Sequence, residues 1–384
     1  MGPLAGVRVV EFAGIGPAPF CGMLLADLGA DVLLVERKVP NANTAGVSFF
    51  NLGRFAIHHR GKRAVALDLK KPEGVAAALR LVERADALIE GFRPGVMERM
   101  RLSPEACLAR NPRLVYGRMT GWGQTGPLAN AAGHDINYLA LSGALSLGAR
   151  PGAPPWAPPT LVGDMGGGGL LLAFGVLAAI LEARQSGQGQ VVDAAITEGA
   201  ALLTSIVGSL KAAGIWSDRP GTNVLDSGAP FYDTYQCADG KWIALGAIEP
   251  QFFAELVKTS GLPANEFETQ FDVAQWPRQK DFVTKLIATQ TRDQWCALLE
   301  GTDACFAPVL GLEDAPMHAH NRARGSFVEL DGVVQPGAAP RFSRTRSEVG
   351  LRPPASGTSS DATLASWGLS RDEIIALRDS GALA

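Results

Sequence analysis

Short apolar runs alternate with amphipathic stretches along the first part of the chain. Val9-Val10 running into Glu11-Phe12 predicts a buried strand, Gly14 to Pro19 a turn, and Phe20 to Leu28 a helix closed by Gly29. Val32-Leu33-Leu34-Val35 predicts a second strand and Val65 to Leu69 a third. Val75 to Arg84 sets Val75, Leu79 and Val82 on one helical face, and Ala87-Leu88-Ile89 returns to strand. Repeated strand-helix-strand units imply the α/β class, with a parallel sheet covered by helices in a Rossmann-like large domain. Ligands of such sheets collect at the carboxyl ends of the strands, which here carry Gly14, Glu36-Arg37 and Arg93. The most apolar run, Leu170 to Leu181, is shorter than the roughly 20 residues a bilayer requires and predicts a buried helix.

The texture changes from about Gly221. Phe231-Tyr232-Asp233 and Lys241 to Leu245 predict strands around an Asp239-Gly240 turn, and charged helical stretches follow, as in a smaller α+β domain. Val333 to Pro354, rich in proline, serine and arginine without periodicity, predicts a linker. Ser370 with Glu373 forms a capping box for a last helix, with Leu369 and Ile374 as its hydrophobic staple and Gly381 at its end. The expected division is a large domain over 1–195, a linker helix over 196–225, a small domain over 226–320, and a linker returning to the large domain over 321–384.

With 384 residues, 47% of them hydrophobic, the chain can bury a full core. A net charge of −3 and the lack of a basic stripe argue against a nucleic-acid partner. Five scattered cysteines without a Cys-x-x-Cys pair indicate neither a disulfide framework nor a metal site, and fit a reducing compartment. The N-terminus reaches Glu11 without a basic then apolar leader, and the chain ends in Gly381-Ala382-Leu383-Ala384 rather than a peroxisomal Ser-Lys-Leu, so the cytoplasm is the expected location. No membrane contact is expected.

Several residues carry candidate chemistry. Gly14-Ile15-Gly16-Pro17-Ala18-Pro19 follows the first strand like a dinucleotide fingerprint, but Pro19 replaces the third glycine, which favours a tight turn of a different α/β fold. Arg60, Lys62 and Arg63 precede a strand while Arg37 and Arg93 follow strands; together they suit a phosphorylated ligand, and singly they read as solvated surface. Gly133-His134-Asp135 and Gly163-Asp164-Met165-Gly166 put two proton-transfer groups of different type on separate loops. A lone histidine is more often structural, and Gly166 to Gly169 could serve helix packing as well as an anion site at a helix N-terminus.

MGPLAGVRVVEFAGIGPAPFCGMLLADLGADVLLVER, RGKRAVALDLK, GFRPGVMERM, MTGWGQTGP and GQVVDAAITEGA resemble the class III CoA-transferase (CaiB/BaiF) superfamily over nearly the whole chain. Within it, GHDINYLALSGAL, LVGDMGGGG and GAPFYDTYQCADGKWIALGAIEPQF look like the α-methylacyl-CoA racemases. The resemblance implies a racemase that interconverts R and S 2-methylacyl-CoA thioesters by 1,1-proton transfer through an enolate. His134 would serve the S epimer and Asp164 the R epimer, with Glu249 of the small domain contacting the histidine. CoA, part of the substrate, would lie along Arg37, Arg60, Lys62, Arg63 and Arg93, while Gly133, Asp135 and Tyr138 line the pocket and amides after Asp164 stabilise the enolate. No cofactor is required on this reading. The family fold is an interlocked homodimer whose active site joins the large domain of one subunit to the small domain of the other. The alternative within the superfamily is a CoA-transferase with Asp164 as nucleophile, and a third reading is a CoA-binding protein without catalysis.

Overall fold

The computed structural model describes residues 2–38, 52–355, 357 and 359–384, so part of the expected large domain, 39–51, lies outside the described residues. Six parallel strands form one sheet: β1 (Arg8–Phe12), β2 (Asp31–Arg37), β3 (Arg63–Leu67), β4 (Ala87–Glu90), β5 (Val115–Thr120) and β6 (Val191–Ala195). Their order is β3-β2-β1-β4-β5-β6, so the direction of winding reverses between β1 and β4. The two-residue period of each strand divides its side chains between two cores. Val10 and Phe12 of β1, Leu33 and Val35 of β2 and Leu88 of β4 pack on one face; Val9, Val32, Ala87 and Ile89 pack on the other.

The second face is covered by α1 (Pro17–Asp27) and by a long apolar helix. The sequence predicts a start at Phe20 for α1, but it begins at Pro17, because a proline at the first helical position loses no hydrogen bond that the helix would use. Gly29 closes it with a φ of 96°. The first face takes α2 (Pro72–Val82), the short α3 (Val96–Arg99) and α4 (Pro104–Arg110), and the C-terminal segment. There Trp367, Leu369, Ile374 and Leu377 are buried, and the capping box of Ser370 and Glu373 forms on the helix Arg371–Asp379.

Helix α5 (Asp135–Ser142) precedes a continuous helical stretch, a π-helix over Leu161–Leu170 followed by α6 (Leu171–Ser186). The helix is thus longer than the apolar run suggests. By length and composition 161–186 could cross a membrane, but one such helix is weak evidence, and Leu172, Val176, Ile180 and Ala183 are buried in the core beside the sheet. Helix α7 (Ile196–Leu203) packs on the π-helix so closely that a Cβ on Gly199 would stand 1.9 Å from the Gly167 carbonyl oxygen.

The chain divides into two compact units: 1–142 with 158–203 and 323–384, and 143–157 with 204–322. The boundary cuts the expected linker helix, since α7 belongs to the first unit and α8 (Ser205–Ala212) to the second. In the second unit β7 (Tyr232–Gln236), β8 (Trp242–Gly246) and β9 (Phe306–Pro308) form an antiparallel sheet, with Gly240 at φ 77° in the predicted turn. Phe231, Ile243, Leu256, Trp276 and Trp295 form its core with α9 (Pro250–Ser260), α10 (Trp276–Ile287) and α11 (Arg292–Leu299). The expected linker over 333–354 is corrected at its start: β10 (Phe327–Leu330) and β11 (Val333–Pro336) form a hairpin. Asp331 and Gly332 both have positive φ, 51° and 77°, the two-residue turn that suits a twisted hairpin.

Candidate functional site

In the first unit the strands' carboxyl ends meet loops that carry the candidate residues, around the point where the strand order reverses. The β1–α1 turn ends at Gly16, whose φ of 73° a side chain rarely adopts; a Cβ there would lie 3.4 Å from Asp164 Oδ2. Asp164 belongs to the π-helix, an unusual form that often marks functional positions. Its backbone N–H donates to Asp135 Oδ1 at 2.8 Å. Only glycine fits at position 163, where a Cβ would come within 2.3 Å of the same oxygen.

His134 sits at the start of α5. Its N–H donates to Asn137 Oδ1 at 3.1 Å, and its carbonyl accepts from the Asn137 and Tyr138 amides. The Tyr138 hydroxyl donates to the Gly133 carbonyl, and its ring meets Trp122 edge-on at 4.8 Å between centroids. Cβ atoms on Gly121 and Gly133 would stand 2.0 and 2.8 Å from that ring, so both glycines are required by the packing. Asn137 went unrecognised in the sequence. The signal was available, since a polar side chain three residues into a helix can cap the residue before it.

His134, Asp135 and Asp164 are thereby brought together. Burial pushes the Asp164 carboxyl up to about 6, the neighbouring Asp135 adds to the rise, and His134 opposes it. The side chain of His134 is exposed. A carboxyl held near neutrality can give as well as take a proton, as can an imidazole. The raised value also has a cost in stability. With a folded value above the unfolded 3.8, the favourable contribution of the protonated group is complete below about pH 4 and is lost as pH rises through 6. Asp164→Asn is therefore expected to melt at a higher temperature than the parent protein at pH 8 and at nearly the same temperature at pH 4; melting scans giving no gain at pH 8 would contradict this.

Two expectations for the anion and phosphate contacts need correction. The helix begins at Leu161, ahead of Asp164, so amides after Asp164 are spent inside it: Met165 N–H donates to the Thr160 carbonyl. The amides lacking acceptors within the helix are those of its first turn. Among Gly166 to Gly169, Gly167, Gly168 and Gly169 are buried packing positions against α7 and α1.

The basic cluster does not gather on this rim. Arg60 is buried and donates to both Asp27 carboxylate oxygens, to Gln335 Oε1 and to the Pro336 carbonyl. Lys62 is buried with Glu11, its Nζ 2.7 Å from Oε2 and 2.9 Å from the Pro19 carbonyl. Arg63 opens β3, at the opposite edge of the parallel sheet, and pairs with Asp31. Their charges are satisfied within the fold, whereas Arg37, the last residue of β2, and Arg93, just beyond β4, are exposed. Prolines at 17 and 19 also remove two of the α1 amides that would cradle a pyrophosphate, which disposes of the dinucleotide fingerprint. Glu249, exposed, is the N-cap residue of α9 in the second unit. Among the described residues no group of three His, Cys, Asp or Glu side chains could hold a metal ion.

The model of CoA-transferase family III matches residues 4–360. The chain is 46% identical over 377 residues to an α-methylacyl-CoA racemase of Mus musculus, covering 97% of this chain and 96% of that protein. It is 43% identical over 376 residues to the Homo sapiens protein of the same name, with the same coverage. To a succinyl-CoA–D-citramalate CoA-transferase of Chloroflexus aurantiacus it is 31% identical, covering 92% of this chain and 91% of that one. Among solved structures, a CaiB/BaiF family protein from Brucella suis superposes with a TM-score of 0.80 at 26% identity, covering 95% of this chain and 99% of that one.

Proposed function

The chain belongs to CoA-transferase family III, and from that premise we propose that it is an enzyme interconverting the R and S epimers of 2-methylacyl-CoA thioesters by 1,1-proton transfer. The observation that carries this reading is the pairing of His134 with Asp164, an exposed imidazole and a carboxyl near neutrality held by separate elements. Resemblance to the two racemases supports the choice of substrate class.

The α-proton of a thioester is weakly acidic, so removal needs both a positioned base and stabilisation of the enolate oxygen. Positioned acid and base groups contribute about 10²- to 10⁴-fold, and preorganised donors several kcal/mol. His134 takes the proton from the S epimer while Asp164 delivers one to the opposite face, and the roles exchange for the R epimer. The Val162 and Gly163 amides of the π-helix are the donors for the enolate, since those of Leu161 and Asp164 already donate to the Pro158 carbonyl and to Asp135 Oδ1; Glu249 is proposed as a third acid group on the resemblance to the racemases alone. Gly133, Asp135 and Tyr138 shape the pocket, Asp135 by holding the Asp164 amide and Tyr138 by holding the Gly133 carbonyl. Arg37 and Arg93 are the cations offered to the CoA phosphates. CoA enters as part of the substrate, and the chemistry calls on no further cofactor.

The working assembly is a homodimer on this reading. Leu170 at the end of the π-helix and Phe174 and Leu181 of α6 leave an apolar stripe, exposed by 56%, 70% and 63%, of the kind that marks a subunit contact. Five free cysteines suit a reducing cytoplasm. Incubation of a 2-methylacyl-CoA with the protein in heavy water is expected to give α-deuterated, epimerised thioester; a substrate panel yielding neither product would end the proposal.

A further inference from the structure

A second concave site lies in the first unit at the amino ends of β4 and β5, about 16 Å along β5 from the carboxyl-end rim. It is a cavity of about 280 Å³ between the end of α2, the start of β5 and the C-terminal part of α6. Its floor is apolar, formed by the buried Ala85, Ile180 and Ala183. Three arginines, Arg84, Arg113 and Arg184, line it together with the carboxylates of Glu83 and Asp86.

Both carboxylates are already engaged. Glu83 pairs with Arg80 and Arg110, which do not line the cavity, and Asp86 Oδ2 accepts from the Arg8 amide at 2.8 Å. Arg184 approaches Asp86 only to 3.8 Å, and the side chains of Arg84 and Arg113 make no hydrogen bond or ion pair among the described residues. Arg84 is nevertheless held in place. Gly368, at φ 91°, leaves the space its side chain occupies, because a Cβ there would stand 2.2 Å from Arg84 Nε and 2.5 Å from Cζ.

Asn111 fixes the backbone on both sides of the cavity. Its Nδ2 donates to the Val82 and Ala85 carbonyls at 3.0 and 2.8 Å, and its Oδ1 accepts from the Arg113 N–H at 3.1 Å. The same bonds occupy carbonyls at the end of α2 whose partial negative charge would otherwise repel an anion. The cavity therefore offers three guanidinium groups on a fixed frame, with their neighbouring acids and carbonyls largely spent.

We infer that this cavity binds a small phosphate monoester, at a site separate from the proton-transfer residues and independent of the racemase reading. A guanidinium fork matches phosphate oxygens in pairs, and three forks around one centre suit a dianion with three free oxygens, where a carboxylate would satisfy only one. The apolar floor takes the organic group of the ester. Its volume lies just below the roughly 300 Å³ at which drug-sized ligands begin to fit, so the ester is small.

The test is calorimetric titration of the full chain with phenyl phosphate, inorganic phosphate and benzoate at about pH 8, where a phosphate monoester is a dianion. Phenyl phosphate should bind saturably, about tenfold more tightly than inorganic phosphate because its ring meets the floor, and at least tenfold more tightly than benzoate. Arg84→Gln and Arg113→Gln should each weaken phenyl phosphate about tenfold, whereas Arg93→Gln at the carboxyl end should not. Arg113→Gln keeps the test decisive if Arg84→Gln loses its packing on Gly368 and unfolds, since the Arg113 side chain bonds nothing among the described residues. No saturable binding, binding that Arg113→Gln leaves unchanged, or benzoate binding as tightly as phenyl phosphate overturns the inference. Binding lost in Arg93→Gln and retained in Arg113→Gln also overturns it, and moves the phosphate to the carboxyl-end rim.

Discussion

His134→Ala is expected to lower epimerisation of a 2-methylacyl-CoA by about 10²- to 10⁴-fold in both directions, while leaving one half-reaction intact. Inversion needs a proton removed from one face and another delivered to the opposite face, so loss of either group stops it. Exchange with retention needs one group only. Asp164 remains in the variant, so the epimer whose α-proton faces it should still acquire deuterium without inverting, and the other epimer should not. Asp164→Asn should give the mirror result. The fold should survive the histidine replacement, because Asn137 and Tyr138 bind the backbone of residue 134 and not its ring. Epimer-resolved mass spectrometry in heavy water reads both quantities. A His134→Ala protein that epimerises at the parent rate would remove the two-base mechanism. Transfer of CoA between a thioester and a free acid, surviving the same substitution, would point instead to Asp164 as a nucleophile.

The order of elements was legible because it rests on local periodicity. Alternating strands and helices up to Ile89 are each fixed by a few neighbouring residues, and so is the capping box at Ser370. What sequence could not supply were facts set by partners distant in the chain. Arg60 and Lys62 read as a surface cluster because charged side chains are mostly exposed. Their burial depends on Asp27 and Glu11, one the last residue of α1 and the other in β1 beneath that helix, which periodicity alone presents as isolated acids in apolar segments. The π-helix is equally silent: Leu161 to Leu170 is rich in glycine, and only its packing on α1 and α7 gives it a form. Within the site, His134 and Asp164 were visible as residues. Their approach was not, since it depends on Asp135 reaching the Asp164 amide from another helix.

The buried pair of Lys62 and Glu11 should be the most sensitive point of the fold. Glu11 follows Val10 in β1 and faces α1, where a Cβ on Gly22 would lie 1.7 Å from its Oε2, so the carboxylate fills the space that this glycine leaves. Burial is the largest influence on both groups, pushing Glu11 up to about 7 and Lys62 down, and their contact opposes both shifts. Lys62→Met leaves the carboxyl without a cation, and the folded state must then hold it protonated. Above an unfolded value of 4.5, that protonation costs about 1.4 kcal/mol per pH unit, or about 5 kcal/mol at pH 8 and under about 1 kcal/mol at pH 5. A loss of about 3–5 kcal/mol near neutrality is what removal of one member of a buried ion pair typically costs. Urea unfolding should accordingly show Lys62→Met much weaker at pH 8 than at pH 5. Glu11→Leu combined with Lys62→Met should recover most of the difference, because no buried charge remains and the losses are confined to the Pro19 carbonyl and His59 Nδ1, which the lysine also contacts. A single variant as stable as the parent at pH 8 would mean that water reaches Glu11. The pair would then be a surface bridge, and the basic cluster would again be available to a phosphate.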